Sequence, residues 1–259
     1  MKVVIFAGGI GTRITEESHL RPKPMIEIGD KPILWHIMKI YETQGFNEFI
    51  LCLGYKGYMI KEYFLNYFMH SSDITVDLET GKTEIHATDS NTFKVTLVET
   101  GLETKTAGRL KRIQKYIGNE EFLLTYGDGI GDVNLKELIN CHHKSSKVAT
   151  MTVIQPEGKF GTLDFDENGI ITNFKEKPKG DRYWINGGFF VLKPEVFEYL
   201  DENADTVMWE EAPLERLAEK GQLNAYRHPG FWKCMDAMRD KIELDHLWEL
   251  NQAKWKIWI

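Results

Sequence analysis

The chain has 259 residues and a formal net charge of -7 at neutral pH, with 42% hydrophobic and 27% charged residues. This is the make-up of a folded α/β protein, and the acidic balance argues against nucleic acid as a partner. Cys52, Cys141 and Cys234 are too scattered for a disulfide frame or a zinc site, and no apolar run approaches membrane-spanning length, so a reducing cytoplasm with no membrane partner is expected.

Val3 to Ala7 reads as a buried parallel strand. It runs into Gly8-Gly9-Ile10-Gly11-Thr12-Arg13, with Pro22-Lys23-Pro24 shortly after. Glycines let the backbone pass close to a ligand, and exposed N–H groups in such a turn attract phosphate. Arg13 can grip two phosphate oxygens at once, while Lys23 acts as a point charge. The spelling is specific. Ile14 stands where a dinucleotide fingerprint needs its third glycine, and no stretch spells a P-loop. Leu51-Cys52-Leu53-Gly54 also lacks the acidic residue that would bind a dinucleotide ribose. A dinucleotide-dependent oxidoreductase is therefore disfavoured, and a nucleotide loop of a third kind remains.

Gly29-Asp30-Lys31-Pro32 opens a helix, with Asp30 as its cap and Pro32 near its first turn, and Gly45 ends it. Glu48 to Leu53 is a second buried strand, and Ile60, Tyr63, Phe64 and Tyr67 mark another helix. This βαβα rhythm predicts a parallel sheet wrapped by helices. Residues 73–99 interrupt it with three short strands around 74–76, 83–86 and 95–98, a β excursion suited to an oligomer contact. The pattern resumes with a helix over about 108–117, a strand over 122–126, a helix over 135–144 and a strand over 148–154. Asp166-Glu167-Asn168-Gly169 then signals a hairpin. A strand over 187–192, a short helix from Pro194, a helix over 209–219, a strand over 223–227 and a helix over 238–250 complete the chain. Neither a repeat nor a linker divides it, so a single domain over 1–259 is expected.

Asp128 lies between two glycines just past a strand end, where open α/β sheets bind ligands. It suits a metal or a simple turn. Asp236 follows the aromatic-rich Phe231-Trp232-Lys233 and suits either a second metal ligand or a helix N-cap. Two carboxylates beside nucleotide phosphates would make a magnesium site, because this ion prefers oxygen ligands. Glu176 can accept from sugar hydroxyls and Lys177 can meet a phosphate, with Asn186 nearby. Arg109 stands in the first turn of its predicted helix, where the dipole disfavours a cation, so it is expected to face a ligand.

These motifs resemble those of the sugar-1-phosphate nucleotidylyltransferases. The glycine loop with Pro22-Lys23-Pro24 is family-wide. Lys31-Pro32-Ile33-Leu34-Trp35-His36, Tyr126-Gly127-Asp128-Gly129, Glu176-Lys177-Pro178-Lys179-Gly180, Ile185-Asn186-Gly187-Gly188 and His228-Pro229-Gly230-Phe231-Trp232 are similar to the cytidylyl branch. The resemblance implies a Rossmann-like core and the reaction of CTP with glucose 1-phosphate to give CDP-glucose and pyrophosphate. It implies that Phe6, Ala7, Gly8, Gly9, Ile10, Gly11, Thr12, Arg13, Lys23, Thr104, Arg109 and Gly127 line the nucleotide. Arg13 and Lys23 would carry the catalysis. Asp128 and Asp236 would hold Mg2+, and Glu176, Lys177 and Asn186 would face the sugar 1-phosphate. A homo-oligomer is implied, a hexamer being one form of it. Two positions depart from the family pattern: Ala107 replaces a usual glycine, where its methyl would trim space near the ligand, and so does Asp30. Residue chemistry alone leaves CTP, UTP and dTTP open, and the phosphorylated acceptor with them.

Overall fold

The computed structural model describes residues 1–88, 91–156, 162–175 and 183–258. β1 (Val3–Ala7) is buried throughout because its side chains alternate between two cores. Val3, Ile5 and Ala7 join one, Val4 and Phe6 the other. The chain next makes a small ribbon, β2 (Glu27–Ile28) against β3 (Lys31–Pro32). Asp30 sits in the turn of that ribbon and does not cap the helix Ile33–Thr43; Pro32 takes the cap position without a side-chain bond. The helix buries Leu34, Ile37, Met38 and Tyr41 in the first core.

β4 (Glu48–Leu53) pairs parallel with β1. The helices Gly57–Leu65 and Tyr67–Ser71 lead to a separate hairpin, β5 (Ser72–Asp77) with β6 (Lys82–Thr88). β7 (Lys94–Glu99) leaves that hairpin and pairs parallel with β4 at the sheet edge. The helix after it starts at Thr106, earlier than the spacing predicts, and breaks at Ile113 into Thr106–Arg112 and Gln114–Ile117.

β8 (Phe122–Tyr126) returns to the other side of β1. β9 (Gly129–Gly131) is a short strand that apolar periodicity did not reveal. After the helix Leu135–Ser145 come β10 (Ala149–Ile154), the hairpin β11 (Thr162–Phe165) with β12 (Ile171–Lys175), and β13 (Ile185–Leu192). A 3-10 helix, Pro194–Tyr199, and the helix Ala212–Glu219 precede β14 (Leu223–Arg227) and β15 (Trp232–Cys234). The helix Met238–Glu249 follows.

The seven-stranded sheet has the order β14-β10-β13-β8-β1-β4-β7, and only β13 runs against its neighbours. The α/β, Rossmann-like class expected from the sequence is the one found. Going out from β1, the chain fills one side with β4 and β7, then crosses to β8. That reversal opens a crevice past the carboxyl ends of β1 and β8. Among the described residues, no helix is long and apolar enough to cross a membrane.

Candidate active site

A cavity of about 600 Å³ occupies this crevice. Phe6 and the loop Gly8–Arg13 form one wall; Thr104 to Thr106 and Tyr126 to Asp128 form others. Gly11 has φ +71°, a left-handed value that lets the loop turn back toward Lys23. Gly9 has open space where a side chain would stand, so the cavity reaches its backbone. Ala7 lies beneath, fully buried in the core.

Beside the loop, Arg109 is 4% exposed and belongs to the helix Thr106–Arg112. Its guanidinium donates to the carbonyls of Gly8 at 3.0 Å and Leu53 at 2.9 Å, and to Thr100 Oγ1 at 2.7 Å. It borders the cavity while fastening the ends of β1 and β4 together. A Cβ on Gly8 would collide with this guanidinium, so a side chain there would push Arg109 off its partners.

The charged groups meet across the cavity mouth. Lys23 Nζ lies 2.7 Å from Asp128 Oδ2 and 3.0 Å from Asp236 Oδ1. Arg13 also bonds Asp236. Burial works against the Lys23 charge, but Asp128 and Asp236 hold its ammonium above the ordinary lysine value. Burial likewise opposes the Asp236 charge, yet Lys23 and Arg13 hold that carboxyl below its ordinary range. The two aspartates are adjacent because β9 pairs antiparallel with β15: Gly129 faces Cys234, and the Met235 N–H donates to the Asp128 carbonyl at 2.8 Å. Asp236 does not cap the following helix. Ala237 takes that position, and the Asp240 carboxylate accepts from the N–H groups of Asp236 and Ala237.

Ligand atoms of Asp128, Cys234 and Asp236 lie within 4.8 Å of one another. Two hard carboxylate oxygens at this spacing fit a divalent cation that prefers oxygen. Burial pushes the Cys234 thiol up, with Asp128 adding to the effect.

Residues 2–236 match the family model described as Nucleotidyl transferase. The chain belongs to this nucleotidyl transferase family. It is 52% identical to a glucose-1-phosphate cytidylyltransferase of Salmonella typhi, over all of both chains. It is 48% identical, again over both full lengths, to a probable glucose-1-phosphate cytidylyltransferase of Bacillus subtilis. In fold it is similar to HddC from Yersinia pseudotuberculosis, with a TM-score of 0.69, 24% identity, and 95% and 99% of the two chains covered.

In this nucleotidyl transferase, the loop residues, Lys23, Thr104, Arg109, Gly127, Asp128 and Asp236 border one cavity. Asn186 stands at the start of β13, bonded to Tyr126 rather than on the cavity wall. Glu176 and Lys177 lie outside the described residues. Ala107 is fully buried in the second core, so its methyl does not trim the cavity. Sequence reasoning passed over Tyr126, Thr106 and Met208, which also border the cavity. Tyr126 was findable from its place beside Gly127-Asp128; Met208, brought in from a distant segment, had no local signal. Trp232 was also missed: its indole N–H donates to the Gly187 carbonyl at 2.7 Å, tying β15 to the start of β13.

Proposed function

We propose that the chain transfers a cytidylyl group from CTP to glucose 1-phosphate, giving CDP-glucose and pyrophosphate. The observation that carries this reading is the meeting of Lys23 with Asp128 and Asp236 at the mouth of a glycine-loop cavity. The choice of CTP and glucose 1-phosphate is supported by the two full-length relatives that bear this activity in their names.

The acceptor phosphate needs no general base, since a phosphate monoester with a second pKa of about 6 is mostly a dianion at neutral pH. The difficulty is bringing one anion onto another in line. Alignment and charge neutralisation are therefore the catalytic content. Arg13 and Lys23 neutralise the triphosphate and the departing pyrophosphate. The Arg13 side chain is 75% exposed, so it can leave Asp236 for a phosphate without losing packing. Asp128 and Asp236 hold Mg2+, which when bound supplies positive charge to the phosphate oxygens. The backbone of Gly8 to Thr12 cradles the phosphates, and Thr104, Arg109 and Gly127 complete the nucleotide wall. Glu176, Lys177 and Asn186 receive the sugar phosphate.

The test is pyrophosphate release measured across CTP, UTP, dTTP and GTP against several sugar 1-phosphates. Turnover restricted to CTP with glucose 1-phosphate supports the reading, and preference for another pair replaces it. A homo-oligomer accompanies the proposal. Ile74, Val76 and Ile85 are 40%, 49% and 46% exposed on the hairpin β5–β6, where Ile74 pairs with Ile85. Sedimentation velocity that finds only monomers would remove that part. A cytoplasmic location suits substrates of this kind.

A further inference from the structure

The turn Gly54-Tyr55-Lys56-Gly57 joins β4 to the helix Gly57–Leu65, and the Gly57 N–H closes it by donating to the Gly54 carbonyl at 3.0 Å. It is pressed hard against the start of the glycine loop. A Cβ on Gly54 would lie 2.7 Å from the Gly8 carbonyl oxygen, and one on Gly57 would lie 2.9 Å from Leu53 Cβ. Between them Lys56 has φ +48°, a left-handed value that a lysine keeps only where its surroundings impose it.

Tyr55 holds the glycine loop at both ends. Its backbone N–H donates to the Gly8 carbonyl at 3.2 Å, where the loop leaves β1. Its phenol donates to the Ser18 carbonyl at 3.1 Å, at the end of the short helix Thr15–Ser18 into which the loop runs. Lys56 Nζ donates to the next carbonyl, that of His19. Carbonyls at a helix end lack intrahelical partners. For Ser18 the sequence makes this certain, because Pro22 stands four residues on and has no N–H, while the Arg21 N–H is used on Glu17. The side chains of Tyr55 and Lys56 supply the missing donors. Ser18 is also packed against the working part of the loop. A Cβ on Gly11 would lie 3.3 Å from both Ser18 Cβ and Lys23 Cβ. Holding Ser18 therefore holds the residue where the loop turns back, and the stem of Lys23 with it.

We propose that Tyr55 and Lys56 are positioning residues for the nucleotide: they clasp the chain between Gly8 and His19 in the shape that presents its N–H groups to phosphate. This rests on the reading that the loop cradles a nucleoside triphosphate. Neither side chain touches the reacting atoms in this account. Without the clasp the nucleotide must order the loop itself, so the cost falls on nucleotide affinity and leaves the acceptor alone.

The test compares Y55F, K56M and K56R with the native full-length protein. Y55F removes only the hydroxyl, since the bond to Gly8 is made by the backbone. K56M removes the ammonium and keeps much of the stem, while K56R keeps a charged donor. Hydrogen exchange is read at the amides of Ile14, Ser18 and Leu20, which bond within this segment to Gly11, Ile14 and Glu17. In Y55F and K56M they should exchange about five to ten times faster, the worth of one hydrogen bond, with β1, β4 and β8 unchanged and K56R close to native. This arm needs no substrate, so it judges the clasp whatever the protein turns over. Native turnover, measured first, decides the proposed reaction by itself. On the substrate pair it selects, Y55F and K56M should raise KM for the nucleotide about tenfold and keep KM for the acceptor within about twofold. Saturating nucleotide should bring kcat back to within about twofold of native. K56M keeps the test alive if Y55F does not fold. Unchanged exchange at Ile14, Ser18 and Leu20 in both variants would overturn the proposal. So would faster exchange throughout the sheet, or equal rises in both KM values, each of which marks a general structural role.

Discussion

Lys23→Met is the most discriminating perturbation of the charge cluster. It removes the ammonium that lies within 3.0 Å of both carboxylates while keeping much of the apolar stem. Asp128 and Asp236 then face each other with ligand oxygens no more than 4.8 Å apart. Two unit charges at that distance repel by about 3.5 kcal/mol at an effective dielectric of about 20. The two side chains are 27% and 35% exposed, so water screens the repulsion. A net loss of about 1–2 kcal/mol is left, or about 3–6 °C in Tm for a protein of this size.

The sign with pH follows from the two shifts. Asp236 is depressed, so its contribution is present above the ordinary aspartate value and fades as pH falls through the lower folded value. Lys23 is raised, so its contribution is complete below the ordinary lysine value and fades only as pH rises through the higher folded one. Between those limits the native cluster is intact. The Tm gap between native protein and variant should therefore be wide at pH 7 and close as pH drops below about 4, the ordinary aspartate value. Millimolar Mg2+ should raise Tm more in the variant, where a cation relieves bare repulsion, than in the native protein, where Lys23 already does so. Scanning calorimetry over pH 3–8, with and without Mg2+, checks both. A gap independent of pH and of Mg2+ would refute the view that Lys23 neutralises this pair. The same variant should also lower kcat/KM by about 10²–10³, the usual cost of losing one preorganised cation from a charged transition state.

Asp236→Asn should cut pyrophosphate release at least about a hundredfold and shift half-saturation to higher Mg2+, as loss of a charged ligand weakens a hard cation site; unchanged Mg2+ dependence would exclude direct ligation. Arg109→Met should lower unfolding free energy in urea by about 2–4 kcal/mol, because it removes three buried charge-assisted hydrogen bonds, although the Gly8 and Leu53 carbonyls keep the N–H groups of Tyr55 and Thr100 as partners. CTP affinity should fall with it as the glycine loop loosens. Ala107→Gly should cost about 1 kcal/mol as an ordinary helix substitution and leave the acceptor KM unchanged; a changed KM would mean that the buried methyl senses the ligand after all.

The sheet was legible because β1, and β4 after its first residue, carry the apolar runs that burial on both faces demands, and β8 and β10 keep enough apolar residues around their threonines. The pair β9 and β15 was not, since Gly-Ile-Gly and Trp-Lys-Cys are too short to show any period. Yet this pair sets the spacing of Asp128 and Asp236, so the sequence named both carboxylates without showing why they meet. β7 was legible as a strand but not in its placement, because three half-exposed positions in a row suit a sheet edge and a hairpin equally. Arg109 marks another limit. The dipole argument put it in a first turn, but the helix starts at Thr106 and carries Arg109 in its last turn, where a cation is favoured; its partners come from the ends of β1 and β4 and from Thr100, which no local pattern connects. Ala107 was misplaced for a related reason: one position along a helix decides whether a methyl faces a cavity or a core.

The three-residue ribbon joining β9 to β15 has a consequence for how the protein is made. Lys23 and Asp236 are separated by 213 residues, so the cluster closes only once nearly all of this chain has been synthesised. Until then β9 is an unclaimed edge and Lys23 has Asp128 alone. A chain truncated before Trp232 loses the second carboxylate together with Met235, Leu244 and Trp255, all fully buried in the first core. The same late segment thus completes both the charge cluster and the core, so a nonsense mutation there would be as damaging as one in the loop itself.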